Sequence, residues 1–273
     1  MLQEFMISFP LFFETYLSAL FMAIFLSMLG ILVVNREQIF LTAAISQAAT
    51  LGIAVDIIIG LQQPMIAAVT FSIIAAVISG MKDKRGGSNR EEFSAWVFLV
   101  SASLSVLLLA NHPQGVKQIQ SLIASSIIGS GMFEVIVFAV ISLIVMITYF
   151  VVHDKLRLFI IDPIMAAAIG IPIILWNWYI SVFLGLSIGM AMCSSGMIYT
   201  FGCLVLPAQI AKTLCKRVSL MFIVSPLVAI ISVVSGLIIA NYYNYPPGQM
   251  IISLMGAFLV LAWALDWFRT NFK

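Results

Sequence analysis

The chain has 273 residues, of which 63% are hydrophobic and 9% charged, with a formal net charge of +2. A soluble domain of that polarity could not cover its own surface, so the composition implies an all-α, polytopic bundle of helices in a membrane. There is no basic tail and no interleaving of aromatic and basic residues, so lipid is expected around the chain and nucleic acid is not.

The opening M-L-Q-E-F-M-I-S-F-P lacks a cationic stretch and a small-residue cleavage site, so the first apolar run is expected to stay as a span and not to act as a signal peptide. Runs of about the 20-residue length that crosses a bilayer fall near 11–34, 39–60, 63–81, 93–110, 132–152, 172–193, 195–211, 218–240 and 249–268. Cations cluster on alternate connections: Arg36; Lys82, Lys84, Arg85 and Arg90; Lys155 and Arg157; Lys212, Lys216 and Arg217; Arg269 and Lys273. The opposite connections, L-Q-Q-P at 61–64 and N-Y-Y-N-Y-P-P-G at 241–248, carry none, and 111–118 carries only Lys117. Positive-inside bias then puts the N-terminus outside and the C-terminus in the cytoplasm. Nothing reads as an interdomain linker, so residues 1–273 are expected to form one domain.

The polar stretch 81–92 reads as a solvated cytoplasmic turn, and the Ser-rich stretch 116–131 as an interfacial or re-entrant helix on the outer side. In H-D-K-L-R-L-F-I-I-D-P-I-M-A-A-A-I-G at 153–170, Asp162 can cap a short cytoplasmic helix that starts at Pro163 and is closed by Gly170 and Pro172. The same residues could instead simply begin the next span. Gly185 and Gly189 form a G-x-x-x-G that permits close helix packing. Gly196 to Ala211, G-M-I-Y-T-F-G-C-L-V-L-P-A-Q-I-A, is apolar throughout; Gly196 and Gly202 admit close neighbours, and Pro207 is tolerable where packed helices satisfy the carbonyl it frees.

Side chains able to do chemistry are few. Cys193, Cys203 and Cys215 have no C-x-x-C spacing and read as buried structural thiols. Met190, Met192, Cys193 and Met197 surround the expected outer turn between the sixth and seventh spans; soft ligands there would suit copper(I), but packing is the plainer reading. His112 and His153 fall in connections on opposite sides and read as solvated. Glu14, Glu134, Asp56 and Asp266 all lie near span ends, and the span centres carry no charge. Proton- or sodium-coupled carriers usually keep ionisable groups at those centres, which counts against a secondary transporter.

Residues 196–211 resemble the G-x-L-L-V-x-A-L-L-V-L-P-A-A-x-A signature of permeases from the zinc/manganese/iron class of ABC importers. Other segments keep the same order. L-S-M-L-G-I-L-V-V-N-R-E-Q at 26–38 is similar to G-x-L-G-V-F-V-V-x-R-R, and A-I-S-Q-A-A-T-L-G-I-A at 44–54 to A-L-S-H-A-A-L-P-G-V-A. Asp162, Pro163, Ala166 and Gly170 match the D-P-E-F-A-x-x-x-G cytoplasmic element, and 242–249 resembles the late outer loop ending in P-x-G. The resemblance implies about nine transmembrane helices with a short cytoplasmic coupling helix in a bacterial plasma membrane. It also implies a cytoplasmic ATPase, an extracytoplasmic metal-binding protein and a second permease, identical or paralogous, as partners. No G-x-x-x-x-G-K-[ST] occurs, so ATP hydrolysis falls to a separate chain and no intrinsic cofactor is expected.

The chain departs from that pattern where the resemblance places a ligand pair. The Asp and His of G-D-A-L-S-H-A are here Ala43 and Gln47, and Ile164 replaces the Glu of the cytoplasmic element. Ala offers no ligand, and an amide carbonyl is a weak neutral donor for a transition metal. Ala43, Ser46, Gln47 and Asp56 are the candidate residues of the path, although nine positions at about 100° each put Asp56 opposite Gln47 on a regular helix. Two functions remain open besides import of a transition metal or its chelate: a non-conducting partner permease in a heterodimer, and an unrelated secondary transporter.

Overall fold

The computed structural model describes residues 10, 12–81, 88–112, 117 and 130–271. Among the described residues all regular structure is helical, in nine helices: α1 Phe13–Asn35, α2 Ile39–Ile59, α3 Pro64–Met81, α4 Ser88–Leu109, α5 Met132–Ile161, α6 Pro163–Ala168, α7 Ile173–Leu214, α8 Val218–Tyr243 and α9 Pro247–Asn271. Seven of them are long and apolar enough to cross a bilayer, and α3 is a shorter apolar helix. The interfacial helix expected at 116–131 lies almost wholly outside the described residues, as does the centre of the 81–92 turn.

Local chemistry sets many of the boundaries. α3, α6 and α9 each open on a proline, whose fixed φ suits the first helical turn and whose missing N–H leaves nothing unpaired there. α2 stops where Gly60 turns left-handed (φ 76) and gives its N–H to the Asp56 carbonyl at 2.8 Å. α8 ends on Asn244 (φ 54), one of the residue types that tolerates this conformation. Among the described residues, which omit 82–87, α4 is already helical at Ser88, five residues before the expected span at 93.

Two expectations are corrected. α5 runs on to Ile161, not 152, because His153-Asp154-Lys155-Leu156-Arg157 is polar but contains no helix breaker before Asp162-Pro163. His153 is therefore helical and half-buried: it stands edge-on to Tyr149, with Nε2 3.3 Å from Ser219 Oγ. The second correction concerns the sixth and seventh spans, which are not separated by a loop. They form one run of 42 residues broken only at Gly196 (φ 77, ψ 175). A side chain would be strained in that backbone conformation, so one glycine does the work of a connection.

The chain divides into two compact units, one of Met1–Glu37, Ser126–Ile161 and Ile198–Lys273, the other of Gln38–Ser125 and Asp162–Met197. In the first, α1 is mostly buried. Phe25 stacks on Phe138 and Arg36 sits 4.4 Å above the Phe159 ring, so α5 runs parallel to α1. α8 runs antiparallel to it, with Ser225 Oγ donating to the Ser27 carbonyl at 3.0 Å and Met221 beside Asn35. The α7 segment after Gly196 runs parallel to α1: Tyr199 OH donates to the Ala19 carbonyl at 2.9 Å and Lys212 Nζ to the Val34 carbonyl at 3.2 Å. In the second unit α2 is the mostly buried helix, and the α7 segment before Gly196 runs antiparallel to α3, Gly185 meeting Ile73 and Gly189 meeting Val69.

Candidate functional site

On α2, Ala43, Ser46 and Gln47 fall on one buried face, one and two turns from the N-terminal start of the helix. The hydroxyls of this face are satisfied within the helix. Ser46 Oγ donates to the Thr42 carbonyl at 2.9 Å and Thr50 Oγ1 to the Ser46 carbonyl at 3.2 Å. Such bonds to the preceding turn let a polar side chain sit in an apolar setting without a partner helix. Gln47 is different, because its amide Nε2 donates to the Met197 thioether at 3.1 Å. The face is polar and carries no charge.

Asp56 does not share it. The residue is buried, its carboxylate Oδ1 accepts from the Gln63 backbone N–H at 3.2 Å, and its own carbonyl takes the Gly60 N–H. It braces the connection from α2 to α3. Three of the four sulfur-bearing residues pack together: Met192 is fully buried against Ala49, Ile53 and Ala68, with Cys193 and Met197 laid on that cluster. Among the described residues no group of three or more His, Cys, Asp or Glu is placed to hold a metal.

The second candidate element is α6, six residues long and capped at both ends. Asp162 accepts from the N–H groups of Ile164 and Met165 at 3.0 and 2.9 Å, satisfying donors that the first turn leaves free. At the other end Gly170 (φ 87) gives its N–H to the Ala167 carbonyl, and Ile171 gives its own to Ala166, both at 3.0 Å. These two bonds make a Schellman close, and the buried pair Ala166 and Ile171 supplies its usual apolar contact. Ala166 therefore faces inward and seats the helix. The outward surface belongs to Ile164, 84% exposed where the family pattern has Glu, and to two residues the sequence did not single out, Ile169 at 64% and Met165 at 56%.

The glycines and proline of the 196–211 stretch serve packing. Gly196 makes the break in α7, Gly202 lies against the Ile252 side chain, and Pro207 is buried within the helix. Met197 is the residue of the α2 site that sequence reading missed as a partner. Its signal was its place directly after a glycine that breaks the helix, but its contact with Gln47 spans 150 positions.

Comparison with known proteins follows the same lines. The chain is 21% identical over 245 residues to the manganese transport system membrane protein MntC of Halalkalibacterium halodurans, covering 90% of this chain and 84% of that one. It is 26% identical over 254 residues to a protein of Haemophilus influenzae described as "Probable iron transport system membrane protein", covering 93% of each. Among solved structures, PsaBC from Streptococcus pneumoniae in complex with Fab contains a chain with the same fold, at a TM-score of 0.82 and 20% identity, covering 96% of this chain and 95% of that one. The profile of the ABC 3 transport family matches residues 8–266. The chain is thus a multi-pass membrane protein belonging to the ABC 3 transport family.

Proposed function

We propose that the whole chain forms a single permease domain of an importer for a divalent transition metal, manganese or iron, driven by a separate cytoplasmic ATPase. The observation that carries this reading is α6: a short helix, held rigid by caps at both ends, that turns Ile164, Met165 and Ile169 away from the protein. Each such side chain, once buried in a cleft of another subunit, contributes up to about 1.5–3 kcal/mol. A rigid apolar knob of this kind passes a push from ATPase closure into α5 and α7, between which it is inserted. On the cargo side, the uncharged face of Ala43, Ser46 and Gln47 offers weak polar contacts, and weak contacts let an ion leave as readily as it enters. An extracytoplasmic metal-binding protein would deliver the metal, and a second permease would complete the path.

The test is Mn²⁺ uptake by the chain reconstituted with its ATPase in proteoliposomes. ATP-dependent uptake is expected, and Ile164→Asp should abolish it while membrane insertion stays normal. Uptake that ignores ATP would instead indicate a secondary transporter. One observation favours a second reading: neither Ala43 nor Gln47 carries a charge, which suits a non-conducting partner in a heterodimer. In that case a complex with this chain as its only permease moves no metal, whether Mn²⁺ is offered alone or as its citrate chelate.

A further inference from the structure

A primary amide has two unlike ends, a donating NH2 and an accepting carbonyl oxygen, and packing alone distinguishes them poorly. A thioether accepts a hydrogen bond weakly and donates none. The contact of 3.1 Å between Gln47 and Met197 Sδ therefore fixes which end of the amide points where. The nitrogen faces sulfur, since a carbonyl oxygen in that place would meet lone pairs. The carbonyl Oε1 is turned away from Met197.

Met197 is itself held. It follows the Gly196 break directly, and its flexible side chain lies against the buried cluster of Ala49, Ile53, Ala68 and Met192. Gln47 is 8% exposed, so little water competes for its amide. We infer that Met197 is a positioning residue that orients the Gln47 amide so that the α2 face presents a carbonyl oxygen to the cargo. This rests on the reading of that face as part of the transport path. A hydrated divalent cation points its water hydrogens outward and is drawn to an acceptor. A carboxylate-wrapped chelate points oxygens outward and would prefer the NH2. The orientation therefore selects the hydrated ion.

Mn²⁺ uptake by the ATPase-bound complex in proteoliposomes tests this through a cycle of variants. Met197→Leu keeps the volume but removes the acceptor and frees the amide to flip. Equal sampling of both orientations at most halves the competent fraction, so the KM for Mn²⁺ should rise by up to about twofold, with kcat nearly unchanged. In a Gln47→Glu background both terminal atoms are oxygens and there is no amide to orient, so Met197→Leu should change KM no further. Gln47→Leu repeats that control without adding a charge. If Met197→Leu raises KM by the same factor in all three backgrounds, or in none, Met197 only packs and the inference fails. A parent complex that moves no Mn²⁺ under ATP overturns the functional reading and this inference together, whereas a transporting parent with no background dependence overturns this inference alone.

Discussion

The two parts of α7 lie in different compact units and are held by opposite means. Before Gly196 the helix brings its own small residues. A Cβ at Gly185 would stand 2.7 Å from Ile73 Cα, and one at Gly189 2.8 Å from Val69 Cα, while Ser72 Oγ donates to the Gly185 carbonyl at 2.7 Å. After Gly196 the small residue is on the neighbour, where Gly30 of α1 lies against the Leu204 carbonyl, and α7 contributes long side chains, Tyr199 and Lys212, that reach backbone carbonyls of α1. Both solve the same problem. Lipid gives helices no hydrophobic reason to associate, so close backbone approach and interhelical hydrogen bonds must hold them. Within the signature at 196–211, Tyr199 and Leu204 are the residues that seat the stretch on α1.

The sharpest way to break the comparison is to add a methyl group on each side. Gly30→Ala forces backbone apart, because its Cβ would overlap the Leu204 carbonyl, and no side chain can swing clear. A loss of about 3 kcal/mol or more is expected, read as a fall in Tm of the detergent-solubilised protein. Gly189→Ala, facing the Val69 backbone and the Ser72 hydroxyl that is bonded to the Gly185 carbonyl, should lose about 1–3 kcal/mol. Gly202→Ala meets the Ile252 side chain, Cδ1 and both γ carbons, but no backbone, so its effect should be smaller than that of Gly30→Ala. Gly256→Ala has nothing within 4 Å and should leave Tm unchanged or slightly raised. An equal fall for Gly30→Ala and Gly202→Ala would show that the close approach of α1 to α7 is not what holds the second part.

This contrast also marks what could be read from sequence. The Gly185/Gly189 pair was visible because it is a local pattern on one helix. The partnership of Gly30 with Leu204 was not, since one glycine in an apolar run looks like any other until its neighbour is known. The same holds at the candidate sites. Asp162-Pro163 and Gly170 announced the limits of α6 because caps are short-range chemistry, but the exposure of Ile164, Met165 and Ile169 depends on which side of α6 is packed. Spans were legible as apolar runs, and their ends were misjudged where polar residues continue a helix, as at 153–161 and 88–92. Gly196 was noted for packing, and its use as the sole joint between two helical segments had no local signal beyond the glycine itself.

A milder substitution separates backbone strain from crowding. Gly170 has φ 87, yet a Cβ there would meet nothing within 4 Å. Gly170→Ala should therefore cost about 1–2 kcal/mol of local strain in the Schellman close, without a steric clash. Global Tm should barely move, because α6 is short and mostly exposed. Coupling should suffer instead, with ATP hydrolysis by the complex persisting while uptake per ATP falls severalfold. Uptake per ATP equal to the parent's would show that the close of α6 can loosen without affecting drive.

The smallest effect concerns Cys215, just past the end of the second part of α7 and half-buried. Burial raises the pKa of its thiol above the ordinary value, because a thiolate loses hydration there. A raised pKa means less thiolate at any given pH, so Cys215 should react with maleimide more slowly than a free thiol at pH 7.5. Its rate should also keep climbing by about tenfold per pH unit beyond the pH at which a free thiol levels off. Positive-inside bias predicts a cytoplasmic side for the basic residues around it. In cells carrying Cys193→Ala, an impermeant maleimide should thus reach Cys215 only after permeabilisation, whereas an added Asn244→Cys should react from outside. Cys203 is fully buried and should stay silent in both assays. Labelling of Cys215 in intact cells would reverse the orientation and remove α6 from the side where an ATPase could reach it.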